Sequence, residues 1–304
     1  MKSSPYDLMM KNMLRQFVLL IACMRPKQWT KNLLVFPALV FSQNLFYPLL
    51  FGKTFAAFLI FCLLSGSLYI VNDLVDLNSD RRHPKKQLRP LASGTLNKTF
   101  ALFMSLLVLA LCLAVSLLLG FSFWILVGSY LLLHVIYSFY LKQIVILDIF
   151  SIALSFVLRV FAGAVVISVP VSSWLMICTL SLAFFLGFSK RRVELVSFGD
   201  KAVLHRKALG DYSISFLDQM IAVATSSTVL SYALYTISEE TIQRFHTTAL
   251  KYTIPFVMYG IFRYLYLIYL KNEGEEPENI LIRDIPMILN ILLYILVTGM
   301  IVYL

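Results

Sequence analysis

The sequence predicts an all-α, polytopic membrane protein, and three observations carry that prediction. The composition is 60% hydrophobic and only 14% charged over 304 residues, with a mean hydropathy of +0.82, far outside the range of water-soluble domains. Apolar runs of about 20 residues, the length of helix that crosses a bilayer, recur along the chain. The basic residues gather in alternate connections, as the positive-inside rule requires of a multi-spanning protein.

In chain order, residues 1–28 read as an N-terminal interfacial segment. MKSSPYDLMMKNMLRQFVLLIACM carries a short apolar stretch but no small-residue cleavage site, so it is not taken for a removed signal peptide. About nine spans follow, at roughly 33–51, 54–72, 99–119, 122–141, 146–167, 173–189, 214–237, 252–270 and 285–304. No change of composition separates a second unit, so residues 1–304 form one transmembrane domain. The polar stretches 73–98 and 190–213 are dense in ionisable groups, and each follows an even-numbered span. KNEGEEPEN, 271–279, is acidic and contains Gly and Pro, which suits a solvated connector.

The N-terminal segment holds Lys2, Lys11, Arg15, Arg25, Lys27 and Lys31. The connection after the second span holds Arg81, Arg82, Lys85, Lys86, Arg89 and Lys98, and the one after the sixth holds Lys190, Arg191, Arg192, Lys201, Arg206 and Lys207. The opposite connections carry only Lys53, Arg244 and Lys251. Nine spans put the three basic groups on one face, which predicts a cytoplasmic N-terminus in a cell (inner) membrane. The net charge of +10 therefore faces one bilayer surface and its anionic headgroups. Nucleic acid is excluded as a partner, because no soluble domain presents these charges. Cys23, Cys62, Cys112 and Cys178 lie far apart in apolar segments, without metal-ligand or disulfide spacing.

The chemistry concentrates in NDLVDLNSD, residues 72–80. On a continued helix, Asp73, Asp76 and Asp80 fall at i, i+3 and i+7 on one narrow stripe, with Asn72 on the adjoining face. Three carboxylates on one stripe repel one another unless a cation joins them. Hard oxygen donors without His or Cys favour Mg²⁺, which bridges one or two carboxylates to substrate phosphates. The bland alternative is solvated charge balancing the neighbouring RRHPKK.

Asn72-Asp73-x-x-Asp76-x-x-x-Asp80, followed by Arg89-Pro90-Leu91-Ala92-Ser93-Gly94, resembles the signature of the UbiA superfamily of intramembrane prenyltransferases. The resemblance implies nine helices around a central cavity open to the cytoplasm and to lipid, with Asp73, Asp76 and Asp80 binding Mg²⁺ and a diphosphate. That family usually carries a second acidic motif, DxxxD, after its sixth span. Here SKRRVEL, 189–195, stands instead, so the second site is mainly cationic.

Further cations point the same way. In RPKQWTKN, Lys27 and Lys31 are one α-helical turn apart; in YSFYLKQIVILD, Tyr137 and Lys142 precede Asp148. Each lysine alone is ordinary topogenic charge, but together they form an anion-binding rim. The combination is similar to a branch of the superfamily in which phosphoribosyl pyrophosphate is the donor and a polyprenyl (decaprenyl-type) phosphate the acceptor, on the way to a lipid-linked pentose for surface glycans. That resemblance implies a Mg²⁺-dependent pentosyltransferase with homo-oligomers possible. Asp73, Asp76, Lys142 and Glu194 are its candidate catalytic residues. Lys27, Lys31, Asn72, Arg89, Tyr137, Lys142, Asp148, Lys190 and Arg191 are its candidate substrate-binding residues. Glu194 or Asp148 could hold a ribose hydroxyl or complete a metal shell. The alternatives are an aromatic prenyltransferase and a lipid or ion transporter; transport calls for acids or broken helices near the midplane, whereas these acids cluster at one interface. Arg159 and Arg263, within the fifth and eighth spans, are candidates because intramembrane charge is costly, with structural hydrogen bonding as the other reading.

Overall fold

The computed structural model describes residues 5–82, 85–199, 207–271, 280 and 283–304. His83, Asp200, Lys201, Arg206 and the acidic connector beyond Lys271 lie outside the described residues. Among the described residues every regular element is helical. Eight helical stretches are long and apolar enough to cross a bilayer: Pro48–Val75, Lys98–Leu119, Phe121–Phe139, Leu147–Val166, Ser173–Phe198, Ile214–Ile237, Ala249–Leu270 and Ile285–Tyr303. They match the last eight of the nine expected spans.

The first expected span, 33–51, is not one helix. After α1 (Pro5–Cys23) the chain forms a 3₁₀ helix, Pro26–Val35, then the short α2 (Pro37–Phe41), and residues 48–51 join α3 (Pro48–Val75). Pro26, Pro37 and Pro48 each stand in the first turn of their element, where proline starts a helix but cannot continue one. Hydropathy detects that the segment is apolar and cannot see that prolines cut it. The segment nevertheless runs antiparallel along α3. Arg25 meets Asp73, Asn32 Nδ2 donates to Ser65 Oγ at 3.2 Å, and Phe36 packs on Phe58. Between Asp73 and Phe58 lie about 22 Å of helix.

The remaining elements are α4 (Leu77–Asp80), α5 (Lys98–Ser116), α6 (Phe121–Phe139), α7 (Leu147–Val166), α8 (Ser173–Phe198), α9 (Ile214–Ile237), α10 (Glu239–Phe245), α11 (Ile254–Leu270) and α12 (Ile285–Tyr303). Side-chain caps set several starts. Asn97 accepts from the Phe100 amide at α5, Ser213 from Phe216 at α9, Ser238 from Thr241 at α10 and Asp284 from Met287 at α12, each satisfying an amide the helix leaves open. α3 packs on α5, α6 on α7, α7 on α8, and α8 on α9. One core joins Val35 and Leu39 to Phe61, Leu64, Phe123 and Tyr130; a second joins Ile149, Phe185, Leu217, Ile221 and Tyr264.

Two glycines set how closely backbones approach. A Cβ on Gly163 of α7 would overlap the Val35 carbonyl of the 3₁₀ helix, and one on Gly187 of α8 would overlap Ile149 of α7. Backbone cannot move aside as a side chain can, so Gly163→Val is expected to destabilise the protein by about 3 kcal/mol, the upper end for overpacking. The check is the unfolding midpoint in detergent, and an unchanged midpoint would show that the first segment does not lie against α7.

The intramembrane arginines hold elements together. Arg159 is buried; its Nε donates to Asn32 Oδ1 at 2.7 Å, Nη1 to the Ser155 carbonyl at 2.8 Å, and Nη2 to the Tyr130 hydroxyl. It thereby bonds the 3₁₀ helix, α6 and α7 through neutral acceptors. Arg263 pairs with both oxygens of Asp284, at 3.1 and 2.8 Å, joining α11 to the cap of α12.

Candidate functional site

The ends of α3, α6, α8 and α11 and the starts of α5, α7, α9 and α12 lie at one end of the bundle, and the ionisable groups meet there in two clusters. In the first, α3 delivers Asp73, which is only 3% exposed, and α4 delivers buried Asp80. Arg89, from the connection between α4 and α5, places its Nη1 between them, 3.1 Å from Asp73 Oδ1 and 2.7 Å from Asp80 Oδ2. Arg25 also donates to Asp73 Oδ1. It sits at φ 54°, ψ 64° where α1 gives way to the 3₁₀ helix, a left-handed conformation that costs a non-glycine residue free energy. Its guanidinium lies 4.9 Å from the centroid of the Tyr69 ring. Burial raises the Asp80 carboxyl above the usual carboxylate range, and Arg89 and Lys86 pull it back.

Asp76 has partners of its own. Lys142, in the tight turn between α6 and α7, donates to Asp76 Oδ1 at 2.6 Å and to Asn72 Oδ1 at 3.2 Å, while Asn72 Nδ2 donates to Asp76 Oδ2 at 3.1 Å. The stripe of three acids thus has two sets of partners, Arg89 at Asp73 and Asp80 and Lys142 at Asp76, while the amide bonds from Asp76 to Asn72 and from Asp80 to Asp76 carry the helical path across the join of α3 and α4.

The second cluster centres on Asp148, fully buried in the first turn of α7. Arg191 of α8 donates from Nε to Asp148 Oδ2 at 2.7 Å and from Nη1 to Glu194 Oε2, one turn further on. The Tyr212 hydroxyl donates to Asp148 Oδ1 at 2.9 Å and accepts from the Ile146 amide at 2.7 Å. Burial, and then the neighbouring Asp148, push that hydroxyl's pKa up. Tyr137 lies within electrostatic reach of Arg191, and half-buried Lys190 adjoins. A satellite pair follows: Arg192 Nε donates to Asp218 Oδ1 at 2.6 Å, with its guanidinium 3.9 Å from the centroid of the Tyr269 ring, whose hydroxyl donates to the same oxygen.

Most of the expected site residues thus come together, with two corrections. Arg191, expected to grip a phosphate with its fork, spends Nε and Nη1 on Asp148 and Glu194 and is itself buried. Lys27 and Lys31, expected to share a face, stand on a 3₁₀ helix with three residues per turn, so four positions apart they point about 120° from each other; Lys27 is exposed and Lys31 half-buried. Sequence reasoning missed Arg25 and Tyr212. The only signal for Arg25 is its place before the proline that opens a new element.

The donor set suits a hard divalent cation. Asp73, Asp76, Asp80 and Asn72 offer only oxygen ligands there, and a single Arg89 nitrogen marks a position that bridges two carboxylates. Among the described residues no three His, Cys, Asp or Glu side chains converge on one point. A Mg²⁺ ion here would be held by a carboxylate pair completed by phosphate oxygens and water, its ordinary mode of binding.

Fold and site together define an intramembrane helical bundle whose acids, arginines and lysines are gathered at one membrane boundary, an arrangement suited to phosphorylated ligands. The profile of the UbiA prenyltransferase family matches residues 33–280; the chain belongs to that family and is one of its enzymes. A protein of Mycolicibacterium smegmatis named decaprenyl-phosphate phosphoribosyltransferase is 29% identical over 274 residues, 87% of this chain and 86% of the relative. One of the same name from Corynebacterium glutamicum is 31% identical over 220 residues, 71% and 66% of the two chains. Among solved structures, a UbiA homologue from Archaeoglobus fulgidus bound to GPP and Mg²⁺ superposes with a TM-score of 0.71 at 19% identity, over 94% of this chain and 100% of the other. That likeness establishes the fold.

Proposed function

We propose that this enzyme moves 5-phosphoribose from phosphoribosyl pyrophosphate to a polyprenyl phosphate and releases pyrophosphate. The observation that carries the proposal is that every carboxylate of the first cluster is met by a cation, Arg25 and Arg89 at Asp73, Arg89 at Asp80 and Lys142 at Asp76, with Lys190 adjoining the second cluster; cations gathered beside ligands for a divalent ion suit two polyanionic substrates better than a neutral aromatic acceptor. The names of the two bacterial relatives support the same reading.

Asp73 and Asp80, with Asp76 alongside, would hold Mg²⁺; when bound it would neutralise charge building on the leaving pyrophosphate. Arg89 and Arg25, beside those carboxylates, are placed to donate to diphosphate oxygens, Arg with a two-pronged geometry that Lys lacks. Lys142 keeps Asn72 and Asp76 in position and presents its charge to the same ligand. A lipid phosphate is already an anion at neutral pH, so its oxygen attacks the anomeric carbon without a general base, and the C–O bond to pyrophosphate breaks as the new one forms. Positioning and charge neutralisation supply the acceleration. In-line attack inverts the anomeric centre. Lys190 and Lys27 remain candidates for the outer phosphate, and Glu194 for a ribose hydroxyl. The basic connections support a cytoplasmic position for this end of the bundle, with α1 as the interfacial segment.

Purified protein supplied with Mg²⁺, a polyprenyl phosphate and phosphoribosyl pyrophosphate is expected to release pyrophosphate and yield a phosphoribosylated lipid, detected by mass spectrometry. Chelation with EDTA is expected to cut the rate at least about 100-fold, and Mg²⁺ to restore it. Turnover only of a prenyl diphosphate with an aromatic acceptor would overturn the assignment.

A further inference from the structure

The two clusters share one motif, a guanidinium between two carboxylates, but differ in how firmly it is held. Arg89 lies on a connection between helices, its side chain is 29% exposed, and one nitrogen serves both acids. Arg191 lies within α8, its side chain is 3% exposed, and separate nitrogens, Nε and Nη1, serve Asp148 and Glu194. The contact of Gly187 with Ile149, one turn before Arg191, clamps α8 against α7, and Tyr212 closes the remaining Asp148 oxygen. An ion approaching the first pair has to displace only partly exposed side chains, Arg89 and, at Asp73, Arg25. At the second pair it would have to expel a buried cation from a closed packing arrangement.

We propose that Arg191 is a built-in counter-cation for the Asp148–Glu194 pair, standing where a divalent ion would otherwise bridge them, so that this chain takes up its metal at the Asp73–Asp80 cluster alone. The inference rests on the metal reading of that first cluster. Asp148 and Glu194, 46 positions apart, are brought near each other by the packing of α8 on α7, and Arg191 supplies positive charge between them. If Arg191 is replaced by a small neutral residue, the acids face each other across a space with hard oxygen donors on both sides, which is a site for Mg²⁺ or Mn²⁺. Arg191 is thus a positioning residue, fixing the N-terminal turn of α7 and, through it, the turn that carries Lys142.

The test is a count of bound Mn²⁺ per chain, by electron paramagnetic resonance of the free ion, on the full-length protein in detergent without substrates. Glu194→Gln is expected to leave the count of the unmodified protein unchanged, whereas Asp73→Asn lowers it. Arg191→Ala is expected to gain one Mn²⁺ per chain and to lose it again when Glu194→Gln is added, with its unfolding midpoint rising in Mn²⁺ as the native protein's second pair does not require. A count that falls on Glu194→Gln alone, or an Arg191→Ala protein that takes up no additional ion, would overturn the proposal. Should Arg191→Ala fail to fold, the Glu194→Gln comparison decides by itself. The count does not depend on which donor the enzyme uses, so it stands apart from the substrate assay; an Asp73→Asn count equal to that of the native protein would instead remove the metal reading.

Discussion

Asp73→Asn is expected to abolish turnover while leaving the protein folded. Asn keeps the shape and one acceptor oxygen, so Arg25 and Arg89 can still donate to it, but the anionic charge that would draw a divalent ion is gone. Removing one preorganised electrostatic contact in an active site costs about 10²–10³-fold in rate, and losing a ligand as well puts the expected fall at the upper end. The effect on stability should be small by comparison. Arg25 and Arg89 are 24% and 29% exposed, so neither is left as a buried, unpaired charge, the circumstance that makes loss of one partner costly. The measurement is pyrophosphate release alongside the unfolding midpoint in detergent. Wild-type turnover in a folded variant would sink the role given to the first cluster.

Asp148→Asn is expected to fail in the opposite way, losing stability as well as activity. The carboxylate is fully buried and accepts from both Arg191 and Tyr212. Removing one partner of a buried pair costs about 3–5 kcal/mol, and because Glu194 still faces Arg191 the lower figure applies. Tyr212→Phe deletes one neutral hydroxyl, leaves the Ile146 amide without this acceptor and keeps the ion pair, and is expected to cost about 1–2 kcal/mol. The ordering of the two midpoints is the check: equal losses would show that the charge on Asp148 does not matter to its packing.

Hydropathy made eight of the spans legible within a few residues, because a helix crossing lipid must be apolar along its length. What it could not show was the path of residues 26–51, where Pro26, Pro37 and Pro48 cut the chain into a 3₁₀ helix, a short α-turn and the start of α3. That change of period also moved Lys31 away from Lys27. The acids of the first cluster were legible because they fall in one short stretch. Their partners were legible only in part, since Arg25 reaches Asp73 across 48 positions and only through a left-handed bend. The role of Arg191 was misread for a related reason: a basic run in sequence looks available for ligand, and only packing shows that its charge is already spent.

Chain order gives the two buried aspartates different histories during synthesis. Arg25 precedes Asp73 by 48 residues, so when Asp73 leaves the ribosome one of its cations is already made. Asp148 precedes Arg191 by 43 residues and Tyr212 by 64. At about 5–20 residues per second, its cation follows about 2–9 s later. Through that interval the first turn of α7 must keep its carboxylate at the wet boundary of the membrane, and it can settle only when α8 arrives. α7 and α8 therefore mature as one unit.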